Sequence, residues 1–195
     1  MGKTRLEAFS DGVIAILITI MVLELRVPDG ASIESLRPSL PVLLSYAMSF
    51  VYIGIYWVNH HHLFHATHKV TGGILWANLH LLFWLSLVPF TTRWIGENPH
   101  GSVPTASYGV SFLMPGIAWL ILQAAIVKSQ GDGSVLAKAI GSDFKGKASA
   151  VLYAAAIALA FVRPWLSDVL FVVVALMWLV PDRRIERVLE GAAHH

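Results

Sequence analysis

The chain of 195 residues contains no cysteine, which excludes both a disulfide framework and any thiolate metal site. Charge is scarce as well. Asp, Glu, Lys and Arg together make up 13% of the residues, about half the roughly 25% of a soluble domain. The net charge of +2 is too small to argue for a nucleic-acid partner. There is no internal repeat and no low-complexity tract. The first apolar run lacks a small-residue cleavage site and is followed instead by Glu24-Leu25-Arg26, so it reads as a mature helix and not as a secretory signal.

Apolar side chains fill the space that charge leaves. They account for 56% of the sequence, and the mean hydropathy is +0.65. They gather in near-continuous runs separated by short charged loops, and runs of about 18 residues or longer are what a ~30 Å hydrocarbon core asks of a helix. The pattern predicts an all-α membrane protein with six transmembrane helices. The spans fall at about 8–25, 40–64, 71–95, 104–127, 148–162 and 165–180, a single six-helix unit over 1–195. The last two are short, and the tight Arg163-Pro164 turn makes them a helical hairpin.

Loop charges set the orientation. The side holding both termini carries Lys3, Arg5, Lys69, Lys128, Lys138, Lys145, Lys147, Arg183, Arg184 and Arg187, against Arg26, Arg37, Arg93 and Arg163 on the other. That asymmetry puts both termini in the cytoplasm. Trp57, Trp76, Trp94 and Trp165 lie near predicted span ends, where interfacial anchors belong. The loop charges Asp132, Lys138, Asp143, Lys145 and Lys147 read as a solvated segment. Arg183, Arg184 and Arg187 read as an orientation signal in contact with anionic lipid.

The first span carries the most information. Between Gly12 and Glu24 its only polar side chain is Thr19. On a helix, Gly12, Ile16, Thr19, Ile20 and Leu23 share one face at i, i+4, i+7, i+8 and i+11. Such a stripe serves ordinary helix packing, or it lines a path between several copies of the chain. Ser10 and Asp11 either cap the helix start or lie inside it, where a carboxylate is expensive unless paired. Leu6 and Phe9 continue the apolar pattern upstream, which favours a helix that begins earlier. Ser10 and Asp11 then lie more than about 100° around the helix from Ile16, facing neighbouring helices.

Arg5-x-x-x-Phe9-Ser10-Asp11 resembles the R-x-x-x-F-S-D signature of the transmembrane protein 175 family, the lysosomal potassium channels of animals and their bacterial homologues. The likeness continues in Trp57-x-Asn59-His60-His61, Leu75-Trp76-x-Asn78-Leu79 and Ser86-Leu87-x-Pro89-Phe90. It covers the first three spans, while the last three match only in hydropathy and length. The resemblance implies a homotetramer in the bacterial plasma membrane, around a central cation pore lined by the first helix of each subunit. It implies a constriction at Ile16, a threonine ring at Thr19 and further apolar rings at Ile20 and Leu23. Arg5, Phe9, Ser10 and Asp11 would anchor the pore helix. No catalysis and no cofactor follow, only K+ as the permeating ion, membrane lipid as surroundings and further copies of the chain as partners.

The physics of such a pore is simple. Four Ile16 side chains around an axis offer an ion no oxygen ligand, so the neck gates by dewetting. Potassium holds its water less tightly than sodium and is modestly favoured. No T-V-G-Y-G carbonyl filter occurs in the sequence. Thr19, about 4.5 Å further along the axis, would rehydrate the ion, and Glu24 would add negative potential at the outer end.

Histidines give the rival signal. His60, His61, His62, His65 and His68 cluster at the end of the second span, with His61, His65 and His68 at i, i+4 and i+7, a spacing that suits a metal. A membrane metalloenzyme, however, would need a second box and acidic partners to orient the rings, and neither is present. The role this pattern favours is hydrogen bonding at the cytoplasmic interface, with Ser10, Asp11 or Arg5, and pH sensing near neutrality. His80, with Asn78 and Trp84, is the candidate inner partner of the first-helix motif. A secondary transporter is the other alternative, but such proteins show repeats and broken helices near the midplane, and the first span has neither.

Overall fold

A computed structural model describes residues 2–131 and 144–179. It is helical throughout these residues: α1 (Lys3–Leu23), a 3-10 segment (Ile33–Ser39), α2 (Leu40–His65), α3 (Gly72–Leu85), α4 (Val88–Glu97), α5 (Ser102–Gln130), α6 (Phe144–Ala160) and α7 (Pro164–Leu179). Four stretches are long and apolar enough to cross a membrane: Lys3–Leu23, Ile33–His65, Gly72–Glu97 and Ser102–Gln130. Within the described residues, α6 and α7 hold 17 and 16 residues, about 24–26 Å at ~1.5 Å per residue. Asp132, Lys138, Asp143, the end of the sixth span at 180, and Arg183, Arg184 and Arg187 lie outside the described residues.

Two boundaries differ from the hydropathy reading. Helix α1 starts at Lys3, with Gly2 as an N-cap that makes no side-chain bond, so Ser10 and Asp11 are interior residues about two turns in. The third span is not one helix but two, broken at Ser86-Leu87. Pro89 is the cause: it has no N–H to give the Leu85 carbonyl and instead opens α4 at its second position, where the missing donor is harmless. The last turn of α3 is closed by Ser86 N to Leu82 O (2.9 Å) and Leu87 N to Trp84 O (3.2 Å). In the hairpin, Val162 N and Arg163 N both donate to Leu159 O, at 2.9 and 2.8 Å.

Helix α5 runs against α3, α4, α6 and α7, while α1 packs along one side on α2, α3 and α4. The shared core is aromatic: Tyr52 stacks on Phe112 at 4.1 Å, and Tyr108 meets Phe171 edge-on at 5.2 Å. Short polar side chains bind the helices where water is absent. Ser49 Oγ pairs with Thr92 Oγ1 (2.6 Å) and with the Tyr108 hydroxyl (2.8 Å), and Thr91 Oγ1 donates to Ser111 Oγ (2.9 Å). Glycine sets two close approaches. A Cβ at Gly96 would lie 2.8 Å from the Val42 Cα, and one at Gly109 would lie 2.8 Å from Ile157 Cγ1. Residues with larger side chains would hold α4 off α2 and α5 off α6.

Candidate pore helix and its anchor

Helix α1 has two unlike faces. Leu6, Ser10, Ile14, Leu17 and Met21 are buried against α2, α3 and α4. Gly12, Ile16, Thr19, Ile20 and Leu23 are exposed on the single subunit, Ile16 at 55% and Leu23 at 79%. The stripe read from the sequence thus lies together along one side that nothing in the subunit covers. On that stripe Thr19 Oγ1 donates to the carbonyls of Ala15 (3.1 Å) and Ile16 (3.0 Å). Its only proton is committed to the backbone, which leaves the exposed oxygen with only its acceptor lone pairs to offer.

The buried face is fastened by a directional chain of hydrogen bonds through three helices. Ser10 Oγ, 0% exposed, donates to the Leu6 carbonyl at 2.9 Å. It accepts from Asn78 Nδ2 on α3 at 2.9 Å. Asn78 Oδ1 in turn accepts from His60 Nε2 on α2 at 2.8 Å, which places a proton on that nitrogen. Serine back-bonding of this kind suits a helix interior, and Ser10 Oγ, Asn78 Oδ1, Asn78 Nδ2 and His60 Nε2 each have a partner along the chain. Beside it, Trp57 Nε1 donates to Asp11 Oδ1 at 2.9 Å. At the helix start, Lys3 Nζ donates to the His65 carbonyl at 2.9 Å, placing a cation where the C-terminal end of α2 is negative.

Of the anchoring partners read from the sequence, Asn78 touches α1. His80 and Trp84 pair with each other instead, Trp84 Nε1 donating to His80 Nε2 at 2.9 Å. Asn78 and His80 are two residues apart on a helix and cannot share a face. Arg5 and Phe9 are exposed on the subunit surface. The sequence reading assigned hydrogen bonding near Ser10 to the histidine cluster without singling out His60, and it placed Trp57 only as an interfacial anchor. Their i, i+3 spacing on α2, inside the Trp57-x-Asn59-His60 motif, is the signal that points both at one neighbour.

At the opposite end of α1 the carboxylate of Glu24 accepts from Arg93 Nη1. Arg93 Nε also donates to Glu97 at 3.2 Å, and Arg26 lies 3.5 Å from the same carboxylate. Two acids and two bases cancel, so the negative potential expected of Glu24 is largely neutralised. The histidine row is shorter than its spacing suggested. Helix α2 ends at His65 with Ala66 as its C-cap, so His68 falls in the following turn. Among the described residues no group of three or more His, Asp or Glu is arranged to hold a metal.

Fold and site together define a multi-pass, all-helical membrane protein whose first helix leaves a nearly apolar face uncovered by its own subunit. The family described as "Endosomal/lysosomal potassium channel TMEM175" matches residues 5–89, the span that contains the α1 stripe and all three members of the Ser10 hydrogen-bond chain. A protein of Chryseobacterium sp. (strain P1-3), named a potassium channel, is 54% identical over 190 residues, covering 97% of this chain and 99% of that one. A potassium channel of Chamaesiphon minutus is 33% identical over 178 residues, 84% of this chain and 86% of its own. The crystal structure of a lysosomal potassium-selective channel TMEM175 homolog from Chamaesiphon minutus superposes with a TM-score of 0.81 at 31% identity, covering 92% of this chain and 97% of that one. The chain belongs to the TMEM175 family, which is a family of ion channels and not of enzymes.

Proposed function

We propose that this chain is a potassium-favouring cation channel, a homotetramer of six-span subunits around a pore lined by α1. Both termini would face the cytoplasm of a bacterial plasma membrane. Ile16 is the constriction and gate, and Thr19, Ile20 and Leu23 continue the path. Ser10 and Asp11 hold α1 on its own subunit through Asn78, His60 and Trp57, while Arg5 and Phe9 are free to meet a neighbouring copy. The permeating ion is K+, and no cofactor is needed.

One observation carries the reading: the face of α1 that the subunit leaves bare is the one that bears Ile16 and an exposed Thr19 oxygen. The names of the relatives support the ion, and the likeness to a potassium-selective channel supports the fold. The break between α3 and α4 is the single feature that would suit a transporter with broken helices. Ser86 and Leu87 N–H groups take the Leu82 and Trp84 carbonyls before it, and the break lies between α3 and α4, not on α1.

The absence of cysteine makes the test direct. Ile16→Cys and Val22→Cys variants are reconstituted in vesicles, and K+ efflux is followed with and without Cd2+; Val22 is exposed but about 120° round the helix from Ile16. The reading expects passive efflux that Cd2+ blocks in Ile16→Cys and leaves intact in Val22→Cys. Equal block of both, or no passive efflux at all, would overturn it.

A further inference from the structure

We propose that His61 and His65 form a binding site for a divalent transition-metal ion on the surface of α2, at the end of the molecule where α1 begins. Both residues are exposed and stand one turn apart on the last turns of a helix that ends at His65. Their rings lie 6.2 Å apart, centroid to centroid, with planes inclined by only 26°. Two near-parallel imidazoles at i and i+4 can therefore turn one nitrogen each onto a shared ion by side-chain rotation alone, without moving the backbone.

This spacing is the two-ligand half of the helical H-E-x-x-H arrangement, in which histidines four residues apart hold zinc. Here the position after the first histidine is His62 in place of glutamate, so the base that would make such a site hydrolytic is missing. No third His, Asp or Glu joins them among the described residues, and the remaining positions fall to water. The site is accordingly open and of moderate affinity. Borderline ions that prefer imidazole, Ni2+, Cu2+ and Zn2+, are its ligands, whereas Mg2+ and Ca2+, which take oxygen, are not. His60, one residue upstream, is buried and committed to Asn78 and takes no part.

The test uses the full chain in detergent without any added tag. His194 and His195 are replaced by Ala throughout, because they form an adjacent pair of their own. Calorimetric titration with Ni2+ should show one site per chain. His61→Gln and His65→Gln should each weaken it by about tenfold or more, because losing one arm removes the intramolecular second bond. His68→Gln should bind as the parent does. Unchanged affinity in both His61→Gln and His65→Gln would overturn the proposal. Cu2+ electron paramagnetic resonance on the parent protein gives a readout that depends on no histidine variant folding. Two equatorial imidazole nitrogens support the site, and a single one contradicts it.

Discussion

Ser10 shows how much of the architecture one small side chain can hold. It is short enough to sit in the seam between three helices, and it gives its proton to Leu6 and its lone pair to Asn78. Asn78→Leu would leave the Ser10 acceptor and the His60 donor unpaired in a dry seam, a loss of about 1–3 kcal/mol per orphaned group. Ser10→Ala should cost less, about 1–3 kcal/mol, because it orphans one group, the Asn78 Nδ2 donor, instead of two. Unfolding in detergent by heat or denaturant ranks the two, and a Ser10→Ala variant that fell further than Asn78→Leu would contradict the chain of bonds. The Ser10 end was legible in the sequence, since the apolar pattern upstream of Phe9 placed it inside the helix. The His60 end was not. One histidine of a run of three looks like its neighbours until packing shows which of them is buried.

Elements meet here through glycine and through proline, with opposite effects. Gly96 lets α4 lie against the backbone of α2, and a methyl group there would meet the Val42 Cα at 2.8 Å. Gly96→Ala should destabilise by about 1–3 kcal/mol through overpacking. Gly54→Ala, in the middle of α2 with open space around it, should be neutral or slightly stabilising, since alanine is the better helix former by about 0.8–1 kcal/mol. Thermal unfolding of the two variants side by side checks the contrast; similar losses in both would refute it. Pro89 breaks the third span, and periodicity could not reveal that, because the run from Thr71 to Ile95 is apolar on both sides of the break. The end of α2 was hidden for a similar reason: nothing in the hydropathy of His65-Ala66-Thr67-His68 marks the turn that takes His68 off the helical face. Glu24 belongs to this scale too. With its carboxylate held by Arg93, Glu24→Gln should change single-channel conductance by less than about twofold, as expected of a half-exposed, screened charge. A collapse of conductance would restore the role that the sequence suggested for it.

At the scale of the whole molecule, the claim is that several copies place their bare α1 faces around one axis, and that six spans bring both termini to one side of the membrane. The cysteine-free background allows the topology to be read with a membrane-impermeant thiol reagent. Lys69→Cys and Gly131→Cys should react from one side and Ser32→Cys from the other, and labelling of all three from the same side would contradict six spans. The apolar stripe itself was fully legible, because a helix repeats its faces every three to four residues whatever surrounds it. What lies against that stripe was not legible, since lipid, a neighbouring helix and a narrow pore all ask for the same side chains. The proposed ring of Ile16 side chains is therefore where the account is tested most directly. Single-channel recording of Ile16→Asn beside the parent protein should show a wetted neck, with higher conductance and a smaller preference for K+ over Na+. Conductance and selectivity both unchanged would place the constriction elsewhere and contradict the account.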